Sequence, residues 1–430
     1  MTSPLPLWHR PWFVNFLRTT ALMMTGLLLL GFTLNAIAGL PQESDFVAFR
    51  ASALAAASGE RLYQMYVFIY ELQQIVPLGA IMTDQLSHNL NPPIFTFLML
   101  PLNTLSLSGA FLAFGLLQFF LALLVFWKLS GHIAGRSAFI RPAVTLLLAG
   151  FFPVMANLLI GQVGLLLFVF FGMGWLALDR KDNYQAGLWL GLALLLKIFS
   201  GLLFIWLALT GRWKAFFTGA AVYASGMLLA LAVFGTGNHL DWLQTLLAHK
   251  TGASTWNASL EGMYVRYLGA GHVASYYNVP LLVLALRITS WSLAAAALIW
   301  TARQKTHQKN SFNCGFALSL ALMLLLSPLG WIYYFPILFI ALLLLWRETQ
   351  TQGQRLTLVL AGLMSGIPQL IANADFYWPA LWRSYTQTGP QTTDTYYWFQ
   401  IPELHTLALL LFAILPVWIV YSRRSAHTGA

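Results

Sequence analysis

The sequence predicts an all-α polytopic membrane protein, a single integral membrane domain over residues 1–430 with about twelve spans. Three observations predict it. Of the 430 residues, 59% are hydrophobic and only 8% charged, more apolar surface than one water-soluble core can hide. The apolar residues fall in helix-length runs. The basic residues gather at alternate ends of those runs, as they do at cytoplasmic loops. The net charge of +10 is therefore a topology signal, and no nucleic-acid partner is expected. A lone cysteine, Cys314, excludes an intramolecular disulfide.

The first run, 19–40, exceeds a signal-peptide core and is expected to stay as a span. Trp8, Trp12 and Phe13 beside Arg10 and Arg18 form an interfacial anchor. Further spans are expected at 109–127, 142–160, 163–178, 186–196, 198–210, 215–234, 280–300, 311–326, 331–346, 356–372 and 404–421. With both termini cytoplasmic, 16 of the 23 basic residues fall inside and ten of the 13 acids fall outside. The expected location is the inner (plasma) membrane, with the working face toward the periplasm or exterior.

Parity hinges on 186–210. Read as one span, it would place Lys197 at mid-membrane and put Arg180-Lys181 and Arg212-Lys214 on opposite sides. Split at Lys197, it becomes two halves of roughly 17 and 20 Å at ~1.5 Å per residue, and both basic clusters lie inside. Such short halves suit a protein-lined cavity. Lys197 is then the tip of a recessed outer hairpin; the plain alternative is a lysine that snorkels to the interface.

Three long outer segments remain: 41–108, 235–279 and 373–403. The first carries two expected helices, 46–57 and 92–102, the second opened by Pro92-Pro93. No phosphate-binding loop, dinucleotide fingerprint, HExxH or CxxC occurs, and the nine histidines lack metal-ligand spacing. No metal or cofactor is expected.

The blocks "DFVAFRASALAAASGERLY", "NPPIFTFLMLPL", "GQVGLLLFVFF", "GLWLGLALLLKIFSGLLFIWL", "NASLEGMYVRYL" and "SPLGWIYYFPI" follow one another in this order. The set resembles glycosyltransferase family 87, polyprenyl-phosphate-sugar-dependent enzymes of the GT-C type, from about residue 40 to 340. The resemblance implies an outward-facing active site with no cofactor, mannose or another hexose as the sugar, a polyprenyl-phosphate donor, and a lipid or glycan acceptor. Asp45 matches the family's catalytic aspartate and Lys197 its lysine. Asn257, Ser259 and Arg266 match its Asn-x-Ser…Arg block. Two positions depart: Ile198 stands where proline commonly follows the lysine, and Tyr333 and Tyr334 stand where the family commonly reaches a histidine.

The chemistry is consistent with this assignment. Transfer from a lipid phosphate needs a carboxylate to take the acceptor's proton and cations to meet charge growing on the leaving phosphate. Asp45 is the expected base, and one base suits an inverting displacement. Lys197, Arg266 and Arg287 are the expected phosphate contacts. Glu43, His88, Asn257, Ser259, Glu261, Tyr333 and Tyr334 complete the candidate substrate set. Plain readings compete with each. Asp45 can cap the helix starting at Phe46, His88 can be an ordinary loop polar, Arg287 can pair with a carboxylate, and the tyrosines can belong to an aromatic belt. The rival function is a transporter or lipid flippase, which also uses broken spans and buried cations. It does not account for a large first outer loop opening on an acid.

Overall fold

A computed structural model describes residues 10–38, 45–63, 66–69, 74–77, 89–133, 135, 138–248, 254, 256–269, 278–304, 308–366 and 402–428. Glu43, His88 and most of the segment 373–403 lie outside them. The described fold is nearly all helix. Its one sheet among the described residues is a two-stranded antiparallel ribbon, Tyr66–Ile69 (β1) with Gln74–Pro77 (β2).

The chain divides into two compact units. The first, residues 1–249 and 336–347, holds α1 (Pro11–Ile37), α2 (Asp45–Ala57), α3 (Phe95–Met99) with a 3-10 turn at Leu100–Thr104, α4 (Leu107–Ile133), α5 (Ile140–Gly150), α6 (Phe152–Ile160), α7 (Gly164–Asp179), α8 (Asn183–Leu196), α9 (Gly201–Leu209) and α10 (Trp213–Ala248). The second, residues 250–335 and 348–430, holds α11 (Leu260–Leu268), α12 (Pro280–Arg303), α13 (Gln308–Leu326), α15 (Gln352–Gly366) and α16 (Pro402–Thr428). The stretch 336–347 carries almost all of α14 (Leu338–Glu348) back into the first unit. There Phe339 packs on Phe126, Phe151 and Phe168.

Each of the twelve expected apolar segments contains helix. Among the described residues, five helices are long and apolar enough to cross a membrane, or six if α5 and α6, bent by 55°, form one span. Their outer faces are bare leucine and aromatic surface: Leu22, Leu27 and Leu34 on α1, Leu228 and Val233 on α10, Leu281 and Ile288 on α12. So much exposed apolar side chain fits hydrocarbon rather than water. The chain is a multi-pass membrane protein.

One expectation is met and one needs correcting. The span expected to end at 234 does break there: Gly235 is non-helical (φ 75°, ψ 170°), a conformation only glycine takes unstrained, and a second helical stretch of α10 follows it to Ala248. The segment expected to start a span at 331 instead opens with a 3-10 stretch, Ile332–Ile337, and becomes α-helical at Leu338.

The break at Lys197 is present. α8 ends at Leu196, Lys197 is extended (φ −145°, ψ 122°), and a 3-10 turn, Ile198–Ser200, leads into α9. The Ser200 hydroxyl donates back to the Ala193 carbonyl, closing the turn. Gly219 of α10 lies against both Gly187 of α8 and Phe204 of α9. Soon after Lys197, then, the chain is back at the level of a residue near the start of α8, so α8 and α9 form a hairpin. Close contact with α10 holds it: a Cβ at Gly191 would stand 2.7 Å from the Gly219 carbonyl oxygen and 2.8 Å from the Val222 Cβ. Small residues allow this backbone approach, the usual means of packing helices in lipid.

In the first unit, α1, α4, the α5–α6 pair and α7 alternate in direction. Phe32 near the end of α1 meets Phe111 near the start of α4. At the opposite end Arg18 of α1, Lys128 of α4, Arg141 of α5 and Arg180 beyond α7 border one cavity.

Overpacking a tight helix crossing costs ~1–3 kcal/mol. Gly191→Leu is therefore expected to lower the thermal unfolding midpoint in detergent by several degrees. Gly26→Leu, whose Cβ meets open space, should leave the midpoint unchanged. Equal midpoints for the two variants would refute the α8–α10 contact.

Candidate active site

Asp45 is the first residue of α2, where a carboxylate is favoured by the helix dipole. The helix thus begins at Asp45, not at Phe46 with Asp45 as its cap. Phe46 anchors this end in the aromatic core of α4, its ring 5.5 Å from both Phe111 and Phe114. Further along, buried Arg50 donates to Asn103 Oδ1 (2.9 Å), to the Asn103 carbonyl (3.2 Å) and to the Leu105 carbonyl (2.7 Å). These bonds fasten α2 to the 3-10 turn after α3. Burial lowers the Arg50 pKa from its usual value, yet three carbonyl-type acceptors suit the charged guanidinium.

The α6–α7 turn supplies a partner that sequence reasoning missed. α6 ends in a Schellman motif: Gly161 is left-handed (φ 69°), its N–H bonds the Leu158 carbonyl, and the Gln162 N–H bonds the Asn157 carbonyl. A Cβ at Gly161 would lie 2.6 Å from the Phe46 Cβ, so only glycine lets α2 approach this closely. The turn then presents Gln162. Its Oε1 accepts from the Val163 N–H at 3.3 Å, which orients the amide, and its Nε2 donates to Asp45 Oδ2 at 2.7 Å. A polar residue between two glycines and two apolar helices, Gly161-Gln162-Val163-Gly164, was the available signal.

Lys197 is the third member. The Asp45 carboxylate acts on it electrostatically, so a base and a cation separated by 152 positions in the chain share one electrostatic site. Two turns further along the same face of α2, Asn89 Nδ2 donates to the Ser52 hydroxyl at 2.8 Å and Asn89 Oδ1 accepts from Asn91 Nδ2 at 3.2 Å. The Tyr63 hydroxyl donates to the Asn91 carbonyl at 2.6 Å. Burial and the Asp241 charge raise the Tyr63 pKa, so the phenol stays a donor. These bonds keep the first loop on the end of α2.

In the second unit, the remaining described candidates are drawn into internal bonds. Fully buried Asn257 takes the Ser259 N–H and hydroxyl and the Gly330 N–H at its Oδ1, and gives its Nδ2 to the Pro328 carbonyl. Ser259, also fully buried, caps α11 by accepting from the Gly262 N–H at 3.0 Å. The two residues stitch the Asn-x-Ser block to the Ser-Pro block. Arg266 donates to Glu403 at 3.2 Å and to the Ser254 and Asn257 carbonyls. Burial lowers its pKa, and Glu403 acts against that. Arg287 and Glu261 form a two-pronged ion pair, with Nε to Oε2 at 2.9 Å and Nη2 to Oε1. The carboxylate partner for Arg287 is thus Glu261, and neither residue stands alone. Tyr333 and Tyr334 are buried, Tyr333 stacked on Trp331 and edge-on to Tyr334.

Of the sequence candidates, Asp45 and Lys197 come together in the first unit; Asn257, Ser259 and Arg266 form a knot in the second; Glu261 and Arg287 pair.

No significant match is found among curated proteins. A family model, glycosyltransferase family 87, matches residues 89–328. The match includes Gln162, Lys197 and the knot of the second unit, and begins after Asp45. It covers more than half of a chain whose bare apolar helices already mark it as multi-pass, so the chain belongs to glycosyltransferase family 87 and is a membrane glycosyltransferase.

Proposed function

We propose that the protein transfers a hexose, mannose in the first instance, from a polyprenyl-phosphate donor to a lipid or glycan acceptor on the outer face of the inner membrane. The fold is then of the GT-C type with twelve spans, the α8–α9 hairpin counting as two. One observation carries the reading: Asp45, oriented by Gln162, shares an electrostatic site with Lys197 at the tip of a hairpin. Asp45 takes the proton of the attacking acceptor hydroxyl as the glycosidic bond forms at the sugar's anomeric carbon. The bond to the phosphate oxygen breaks, and Lys197 meets the charge left on the phosphate. One carboxylate and one displacement give inversion. Arg266 and Arg287 drop out as phosphate contacts on this reading, because Glu403 and Glu261 already hold them. Family membership weighs against the transporter alternative.

Asp45→Asn keeps an oxygen to accept from Gln162 but cannot take a proton. Transfer from a polyprenyl-phosphate hexose should fall by ~10²–10⁴-fold with the thermal midpoint near wild type. Lys197→Ala should cost about a hundredfold. Normal turnover by a folded variant would remove that residue from the mechanism.

Gln162→Glu sets a like charge beside Asp45, which raises a carboxylate's pKa. A base works only when ionised, so the acid limb of the pH–rate profile should move to higher pH. An unshifted limb would deny that Gln162 touches the working base.

Sidedness is tested by labelling. A cysteine at Ser44, in a Cys314→Ala background, should react with an impermeant reagent from outside. Reaction only from the cytoplasm would overturn the orientation and the site with it.

A further inference from the structure

The first unit carries a second site, at the end of its helices away from Asp45. The end of α4, the start of α5 and the residue after α7, together with Arg18 of α1, enclose a cavity of about 760 Å³. Four cations border it: Arg18, Lys128, Arg141 and Arg180. The acid beside it, Asp179, is taken by His132, with Nε2 to Oδ2 at 2.8 Å. No ion pair of Arg18, Lys128 or Arg180 is found among the described residues. Arg141 lies over the Trp127 ring, 5.9 Å from its centroid, while Trp127 Nε1 donates to the Thr145 hydroxyl at 2.9 Å. The floor is open: a Cβ at Gly131 or Gly135 would touch nothing within 4 Å.

Four like charges around one cavity, with the Asp179 carboxylate beside it already paired to His132, call for an anion. The surroundings say which kind. Arg18 sits one helical turn from Leu22, which is 67% exposed, and Lys128 one turn from Leu124, 57% exposed. A phosphate in the cavity would therefore have bare leucine surface beside it for its hydrocarbon. We infer that this basic cavity binds the phosphate headgroup of an anionic phospholipid in the adjoining leaflet, with acyl chains on α1 and α4. Basic pockets between spans bind acidic headgroups by this charge match. The inference rests on the chain being a membrane protein and is independent of the transfer chemistry.

The test is native mass spectrometry of the full chain in detergent, with phosphatidylglycerol and phosphatidylcholine added in equal amounts. Wild type should retain phosphatidylglycerol over phosphatidylcholine at least tenfold. Lys128→Gln with Arg141→Gln should weaken retention about 25-fold, from the usual worth of two such cations. Gly131→Phe, which fills the cavity and keeps every charge, should weaken it as well. Arg303→Gln with Arg355→Gln removes as much charge elsewhere and should change nothing. Should the first pair not fold, Arg18→Gln with Arg180→Gln makes the same test from the other wall. Equal retention of the two lipids, or equal loss in the Arg303/Arg355 control, would overturn the site. Displacement of the lipid by millimolar inorganic phosphate would overturn its assignment to a headgroup.

Discussion

The approach of α2 to the α6–α7 turn is the contact on which the first unit's site depends. It exists because Gly161 takes a left-handed conformation and carries no Cβ, leaving room for Phe46. Everything downstream follows from that room. Phe46 seats in the α4 aromatics, Asp45 lands at the amide of Gln162, and the carboxylate acts electrostatically on Lys197. A side chain at 161 would strain the turn and push α2 away at once. The two faults would act on the same carboxylate.

Away from that contact, the fold is governed by the need to satisfy polar groups where water is scarce. Arg50 is answered by three oxygens of the 103–105 segment. Buried Glu348 accepts from Asn313 at 2.7 Å and from Arg423 at 3.0 Å. Asn257 satisfies a loop and a helix cap together. Residues of this kind look catalytic in a list of polar side chains. Their bonds show them fixing where loops sit. Leaving one buried partner unmatched costs ~1–3 kcal/mol or more, so such groups are constrained as tightly as reactive ones.

What the sequence disclosed follows from the range of each interaction. Runs of apolar residues are local, and each expected run holds helix. The break at Lys197 was legible because a cation inside an apolar run is costly and the flanking basic clusters demanded an even number of crossings. The second helical stretch after Gly235 was not legible: it is more polar and is held by Asn238 to Leu62, Asp241 to Arg61 and Trp242 to Leu90, contacts more than 150 positions away. Gln162 was hidden for the same reason, 117 positions from Asp45. Arg287 could be seen to need a carboxylate, but nothing in helical periodicity picks Glu261 from a neighbouring helix.

The α8–α9 hairpin has a bearing on the bilayer itself. Its longer arm, 14 residues, reaches about 21 Å at ~1.5 Å per residue, some 9 Å short of a ~30 Å hydrocarbon core. Ile198, Ile205 and Leu209 are exposed along the shorter return, so on the proposed twelve-span reading lipid would meet this short wall directly. The leaflet beside it would then thin or tilt its neighbours to match, at a fraction of a kcal/mol per ångström. Acyl-chain length thereby becomes a mechanical variable: a thicker bilayer strains the hairpin that carries Lys197, and a thinner one relaxes it.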